Sequence, residues 1–380
     1  MNRCIRAARA VTMKDGEGIL ENFAMIHDGS TILETGCWTD LKKDFSGEVD
    51  DLGEVTVVPG LVNAHVHLGL SHLRGKTVQG QGFTSWVKSL IANPMYIPEM
   101  DAVRKAVAGM LESGTVFCAD IATANVINIA TVMDELGMGF CACCEAMGLQ
   151  VPEEGAKLFP QKKFINGKVV GSGHALYSTS AELLRAVKKA DDEAGLPFPM
   201  HLAENAEEDE IVAAGTGVFA EMLRGAGMLA DCGNSGITPV EYADSLGLLD
   251  GSTLVVHCVR VTDSDIAILE ERNVNVCLCP RSNEYIGEGR APWEKILKSG
   301  INTCLGTDSI ASNYDLNMWN ELEYLLENLE ISLSAREALS LVTLNGARAL
   351  KTDNSYGSLE KGKRAVFATV PSRLEGLLFA

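Results

Sequence analysis

No apolar run in the chain approaches the eighteen or so residues that a membrane-spanning helix needs, so no membrane partner is expected. The opening "MNRCIRAARAVTMKDGEG" carries basic residues but no continuous apolar stretch, which argues against a secretory signal. Positive charge is scarce: 32 Lys and Arg face 51 Asp and Glu, and the net charge of −19 disfavours nucleic acid and anionic lipid. The acids are scattered, as in "AENAEEDE" and "DDEAG", and read as solvated surface. Low-complexity segments and proline-rich linkers are also missing.

Cysteine is plentiful, at eleven, but the spacing of a disulfide or zinc framework is absent. Cys141 and Cys144 make a C-x-x-C with no second pair to complete it. Cys118, Cys258, Cys277, Cys279 and Cys304 sit in apolar, strand-like runs. They read as small buried hydrophobes in a reducing compartment, so a cytoplasmic protein is expected.

From about residue 55 the chain alternates apolar strands with segments of helical period. The strand candidates are 56–67, 115–122, 139–148, 169–177, 198–205, 253–259, 275–283 and 302–310. Between them lie amphipathic stretches such as "DAVRKAVAGMLESG", "SAELLRAVKKADDEAG" and "TDSDIAILEERN". Eight such alternations predict an α/β fold, a TIM-like (β/α)8 barrel over 56–350. Residues 1–55 are short, turn-punctuated strands, and the tail "GSLEKGKRAVFATV" reads as a turn and a further strand. Segments 1–55 and 351–380 are therefore expected to form one small β-sandwich subdomain.

Only seven histidines are present, yet three fall within eight residues in "NAHVHLGLSHLRG" at 63–75. A buried strand end is a costly place for imidazoles unless both ring nitrogens find partners. His65 and His67 close the first barrel strand, His174 the fourth, His201 the fifth, His257 the sixth and Asp308 the eighth. Any one alone reads as a satisfied core residue, but six at one rim of a barrel read as a site. Three histidines and a carboxylate suit a divalent transition metal with a coordination position left for water. Glu204, three residues after His201, is placed to carry protons; the structural alternative is an early helix-turn acid.

The set "PGLVNAHVHLGLSHLRG", "HLAE", "VVHC", "CPRSN" and "LGTDS" resembles the amidohydrolase superfamily. More narrowly, it is similar to the branch of adenosine, S-adenosylhomocysteine, aminofutalosine, guanine and chlorotriazine deaminases and hydrolases. The resemblance runs from about residue 55 to 350. It implies one divalent metal, zinc with iron as the alternative, held by His65, His67, His201 and Asp308. It further implies that Glu204 shuttles a proton, His257 orients or polarises the attacking water, Asp308 relays a second proton and His174 contacts the substrate. Two-metal branches bridge their ions with a modified lysine at the fourth strand; here Lys168 starts that strand and His174 ends it, favouring a single ion.

Two departures stand out. Ala365-Val366 replaces the family's usual Ala-Asp pair in the closing strand, away from the site. In several relatives an acid beside a tryptophan holds the ribose hydroxyls, whereas "FTSWVKSL" puts Ser85 before Trp86. Arg281, with Arg74 and Lys88, could instead meet an anionic substituent, while His72 is equally a loop-packing residue. The implied reaction is hydrolytic deamination of a 6-aminopurine nucleoside: adenosine, S-adenosylhomocysteine, methylthioadenosine or aminodeoxyfutalosine. The alternatives are guanine, cytosine or chlorotriazine hydrolysis on the same site, and a catalytically silent barrel scaffold. The partner is a small molecule, and a homo-oligomer is compatible with the sequence.

Overall fold

A computed structural model of the chain describes residues 2–153, 157–233 and 236–379. The N-terminal segment supplies β1 (Arg3–Ala10), β2 (Leu20–His27), β3 (Ile32–Cys37), β4 (Glu48–Asp51) and β5 (Thr56–Pro59). Eight parallel strands follow. They are β6 (Leu61–Val66), β7 (Thr115–Ala122), β8 (Gly139–Ala146), β9 (Gly167–Gly173), β10 (Phe198–Leu202), β11 (Thr253–His257), β12 (Asn275–Leu278) and β13 (Thr303–Leu305). The last strand, β14 (Phe367–Thr369), returns to pair with β5.

The chain termini build one six-stranded sheet in the order β14-β5-β1-β2-β3, with β4 beside β1. Strand alternation gives the sheet two apolar faces. Ile5, Phe23 and Met25 pack on one, and Cys4, Ala24 and Ile26 on the other beneath Trp38, Leu41 and Phe45. A short helix, Trp38–Leu41, and its flanks thus cover the second face, where a sandwich would place a second sheet. The turn joining β2 to β3 is set by Asp28, whose Oδ1 accepts the backbone N–H groups of Ser30 and Thr31 at 2.9 and 2.8 Å.

The run 56–67, read as one strand, is two. It breaks at Gly60, so β5 lies in the terminal sheet and β6 in the barrel. A Cβ at Gly60 would stand 2.4 Å from Val116 Cγ2, so only glycine lets the two sheets approach here.

The barrel forms two four-stranded halves, β6-β7-β8-β9 and β10-β11-β12-β13. At the first seam His201 N–H donates to His174 O at 2.9 Å, and at the second Asp308 N–H donates to His65 O at 3.0 Å. Lower in the second seam the chain inserts Leu341 and Val342, whose carbonyls accept from Leu305 and Val62 at 2.9 and 2.8 Å. Both seams therefore close through residues at or beside the predicted site.

Helices cover the outside, several bounded by the caps their sequences advertise. Ser180 Oγ accepts from Leu183 N at the start of Ala181–Glu193, and Thr262 with Asp265 forms a capping box before Asp263–Glu271. Among the described residues no helix is long and apolar enough to cross a membrane. All eleven cysteines are free. Cys141, Cys143, Cys277, Cys279 and Cys304 share one buried cluster with Phe117 and Leu254. Cys144 packs instead against the cluster under the outer helices, so the C-x-x-C pair is split between two sides of a strand.

Candidate active site

The six predicted rim residues converge. His65 lies within β6 and His67 one residue past its end. Asn63 clasps this strand to the loop after β13: its Nδ2 donates to Thr307 Oγ1 at 2.7 Å, and its Oδ1 accepts from Thr307 N at 3.1 Å. The clasp brings His65 and His67 up to Asp308. Their Nε2 atoms are 3.1 Å apart, and stand 3.7 and 3.4 Å from Asp308 Oδ1. One ring nitrogen from each of His65, His67 and His201 lies within 4.8 Å of the other two.

The surrounding polar groups fix which atoms face inward. His201 Nδ1–H donates to His174 O at 3.0 Å, which leaves Nε2 for the centre. Asp308 Oδ2 accepts from Ser282 Oγ at 2.6 Å and Ser312 Oγ at 2.8 Å, leaving Oδ1 toward the histidines. His257 Nδ1–H donates to Asn283 Oδ1 at 2.9 Å, so its Nε2 accepts, 3.5 Å from Glu204 Oε1. Glu204 is anchored through its own N–H, which donates to Glu208 Oε2 at 3.0 Å. Backbone strain is concentrated here: Ala203, His257 and Asp308 hold positive φ of 52°, 78° and 54°. Such residues each cost about 1–3 kcal/mol, and they turn the side chains inward at the strand ends.

Burial holds the His65 imidazole down at about 4 and also lowers His201 and His257, so these rings are neutral. Burial opposes ionisation of Asp308, but the facing His65 and His67 hold it well below the usual carboxylate range. Glu204 is pushed well above its ordinary value by burial first and by Asp308 second. Neutral imidazoles beside an ionised carboxylate are the donor set of a divalent transition ion. Among the described residues, no Lys or Arg lines the cavity above it, although three acids do, so a bound cation fits the charge.

That cavity has an empty volume of about 1040 Å³ and opens to solvent. His67, His174, His201, Glu204, His257 and Asp308 line its floor, and Trp86, whose Nε1 donates to Ala311 O at 3.0 Å, lines its wall. Lys168 lies at the start of β9, the end away from the site.

The structure does not bring the predicted cations to the cavity. Arg281 is buried with its guanidinium on Asp315, at 2.9 Å to each carboxylate oxygen, and 3.5 Å from Glu321. Arg74 donates to Tyr314 O at 2.8 Å, Lys88 is exposed on the helix Phe83–Ile91, and His72 Nε2 meets Pro94 O at 3.3 Å. An anionic substituent at the site would find none of them. Arg281→Met is accordingly expected to destabilise the protein by about 3 kcal/mol, because buried Glu321 and half-buried Asp315 lose their counter-charge. Chemical denaturation reads this, while KM for substrate stays unchanged; a raised KM at unchanged stability would return Arg281 to the substrate.

Sequence reasoning passed over Glu145 and Thr123, which line the cavity, and Ser282, Asn283 and Ser312, which hold Asp308 and His257. Glu145 closes a barrel strand, so the rule that found the histidines also applies to it.

Residues 56–379 match the model of the amidohydrolase family. The 5-methylthioadenosine/S-adenosylhomocysteine deaminase of Thermoanaerobacter pseudethanolicus is 30% identical over 387 residues, covering 96% of this chain and 84% of that one. An adenosine deaminase from Xanthomonas campestris with bound zinc superimposes with a TM-score of 0.81 at 23% identity, covering 100% of this chain and 89% of that one. The Helicobacter pylori aminofutalosine deaminase in complex with methylthio-coformycin gives a TM-score of 0.85 at 21% identity, covering 99% and 95%. The eight-stranded barrel, the convergent histidines and the family match agree: the chain belongs to the amidohydrolase family, whose members are metal-dependent hydrolases.

Proposed function

We propose that the protein is a zinc-dependent deaminase of adenosine-type nucleosides whose 5′ substituent is uncharged and apolar. The observation that carries this reading is a cavity with proton-handling groups at its floor and apolar walls that hold, among the described residues, no Lys or Arg.

His65, His67, His201 and Asp308 would hold the ion, which supplies Lewis acidity and activates water near neutral pH. His257 Nε2, fixed as an acceptor by Asn283, orients that water. Glu204 takes a proton from the water and delivers it to N1, the ring nitrogen beside the amino-bearing carbon C6. With N1 protonated, C6 accepts the oxygen, and Asp308 takes the second proton from that oxygen and passes it to the departing amine. The C6–N bond breaks, ammonia leaves and the 6-oxo purine remains. His174, whose Nδ1 is tied to Ser178 Oγ, bounds the purine on the β9 side.

Beyond the base, Leu90, Met95, Met147, Phe219, Met222 and Met228 line the walls. Flexible thioethers adapt to an irregular apolar group. The relative from Thermoanaerobacter is named for both 5-methylthioadenosine and S-adenosylhomocysteine, and the first of these carries the apolar substituent proposed here.

Replacing a 5′-hydroxyl with methylthio should add about 1–2 kcal/mol of apolar burial, roughly tenfold in kcat/KM. Ammonia release across 5′-methylthioadenosine, adenosine and a nucleoside with a carboxylate on its 5′ arm should therefore fall in that order. A carboxylate-bearing nucleoside turned over fastest would overturn the assignment of the 5′ group.

A further inference from the structure

Among the described cavity acids, Glu145 is the one that the deamination leaves without a task. It lies on β8, where alternation with Cys141 and Cys143 turns it to the barrel interior. Its side chain is 1% exposed. Oε2 accepts from Thr123 Oγ1 at 2.5 Å, and Thr123 also lines the cavity. Oε1 is buried with no hydrogen-bond partner among the described residues. His201 Nδ1 stands 3.8 Å away and already donates to His174 O. A buried carboxylate oxygen left without a donor is costly, so a ligand that brings one is favoured.

The location says which ligand group that is. Polar atoms of Glu145, His174 and His201 lie within 4.8 Å of one another, beside the ring that bounds the purine. The other cavity acids, Glu204 and Asp308, serve the amino end of the base. An adenosine-type nucleoside carries only the 6-amino group and the sugar hydroxyls as strong donors. Ser85, at the position where an acid was expected, is not among the cavity-lining residues. Resting on the nucleoside reading, we infer that Glu145, braced by Thr123, accepts hydrogen bonds from the ribose 2′ and 3′ hydroxyls and selects for the ribose diol. Glu145 is thus a specificity residue on β8 that takes no part in proton transfer.

The test crosses the side chain with the hydroxyls it would bind. Zinc-loaded wild type, Glu145→Gln and Glu145→Leu are assayed on adenosine and 2′,3′-dideoxyadenosine, with zinc content measured for each. A hydrogen bond to a charged acceptor predicts that wild type prefers the ribonucleoside by roughly 10- to 100-fold in kcat/KM. Glu145→Leu should erase that preference by raising KM for adenosine but not for the dideoxy nucleoside, with zinc content kept and Gln in between. Equal losses on both substrates, or lost zinc, would make Glu145 a support for His201 and overturn the inference. So would wild type showing no preference for the diol. Wild type that deaminates no aminopurine nucleoside would instead bring down the functional reading, and this one with it.

Discussion

The double variant His65→Ala/His67→Ala is expected to fold, to hold less than about a tenth of an equivalent of zinc, and to lose activity by roughly three orders of magnitude or more. The size follows from the several kcal/mol that Lewis-acid stabilisation contributes, at about 1.4 kcal/mol per tenfold. Folding should survive because the interactions that place β6 remain. Leu61, Val62, Ala64 and Val66 are fully buried, and Asn63 still clasps Thr307. His65 Nδ1 has no partner among the described residues in its buried position, so truncation there removes an unsatisfied group. Zinc per chain by elemental analysis, with circular dichroism for the fold, reads the outcome. A folded double variant that keeps a full equivalent of tightly bound zinc would refute the ligand assignment.

Glu204→Gln should separate proton transfer from metal binding. The amide keeps the size of the carboxylic acid, and the N–H bond to Glu208 Oε2 is untouched, so the strained turn after Ala203 persists. Zinc content should match wild type while kcat falls by about 10²–10⁴-fold, the usual contribution of a positioned acid–base group. Parallel loss of zinc and rate would make Glu204 a ligand instead.

Much of this architecture was legible because barrel strands are buried on both faces and read as continuous apolar runs. Polar residues ending such runs are conspicuous, which is how His65, His201, His257 and Asp308 declared themselves. Glu145 obeys the same rule, but it follows "CACC", whose cysteines read as small buried hydrophobes and left the acid after them unremarked. Ser282, Asn283 and Ser312 are small polar residues whose importance lies in which atom they meet, and spacing carries no such information. Arg281 shows the converse. In "CPRSN" the charged residue looks functional, but it is the two after it that face the site, because Asp315, 34 positions later, takes the guanidinium. The break at Gly60 was hidden because "VVPGLV" is apolar on both sides of it, and only contact with Val116 explains the glycine.

The most direct test of the central claim follows the purine chromophore. Zinc-loaded protein incubated with 5′-methylthioadenosine should shift the spectrum from adenosine-type to hypoxanthine-type, with one ammonia released per nucleoside consumed. An unchanged spectrum with this and every other aminopurine nucleoside, alongside turnover of guanine, cytosine or a triazine, would contradict the account.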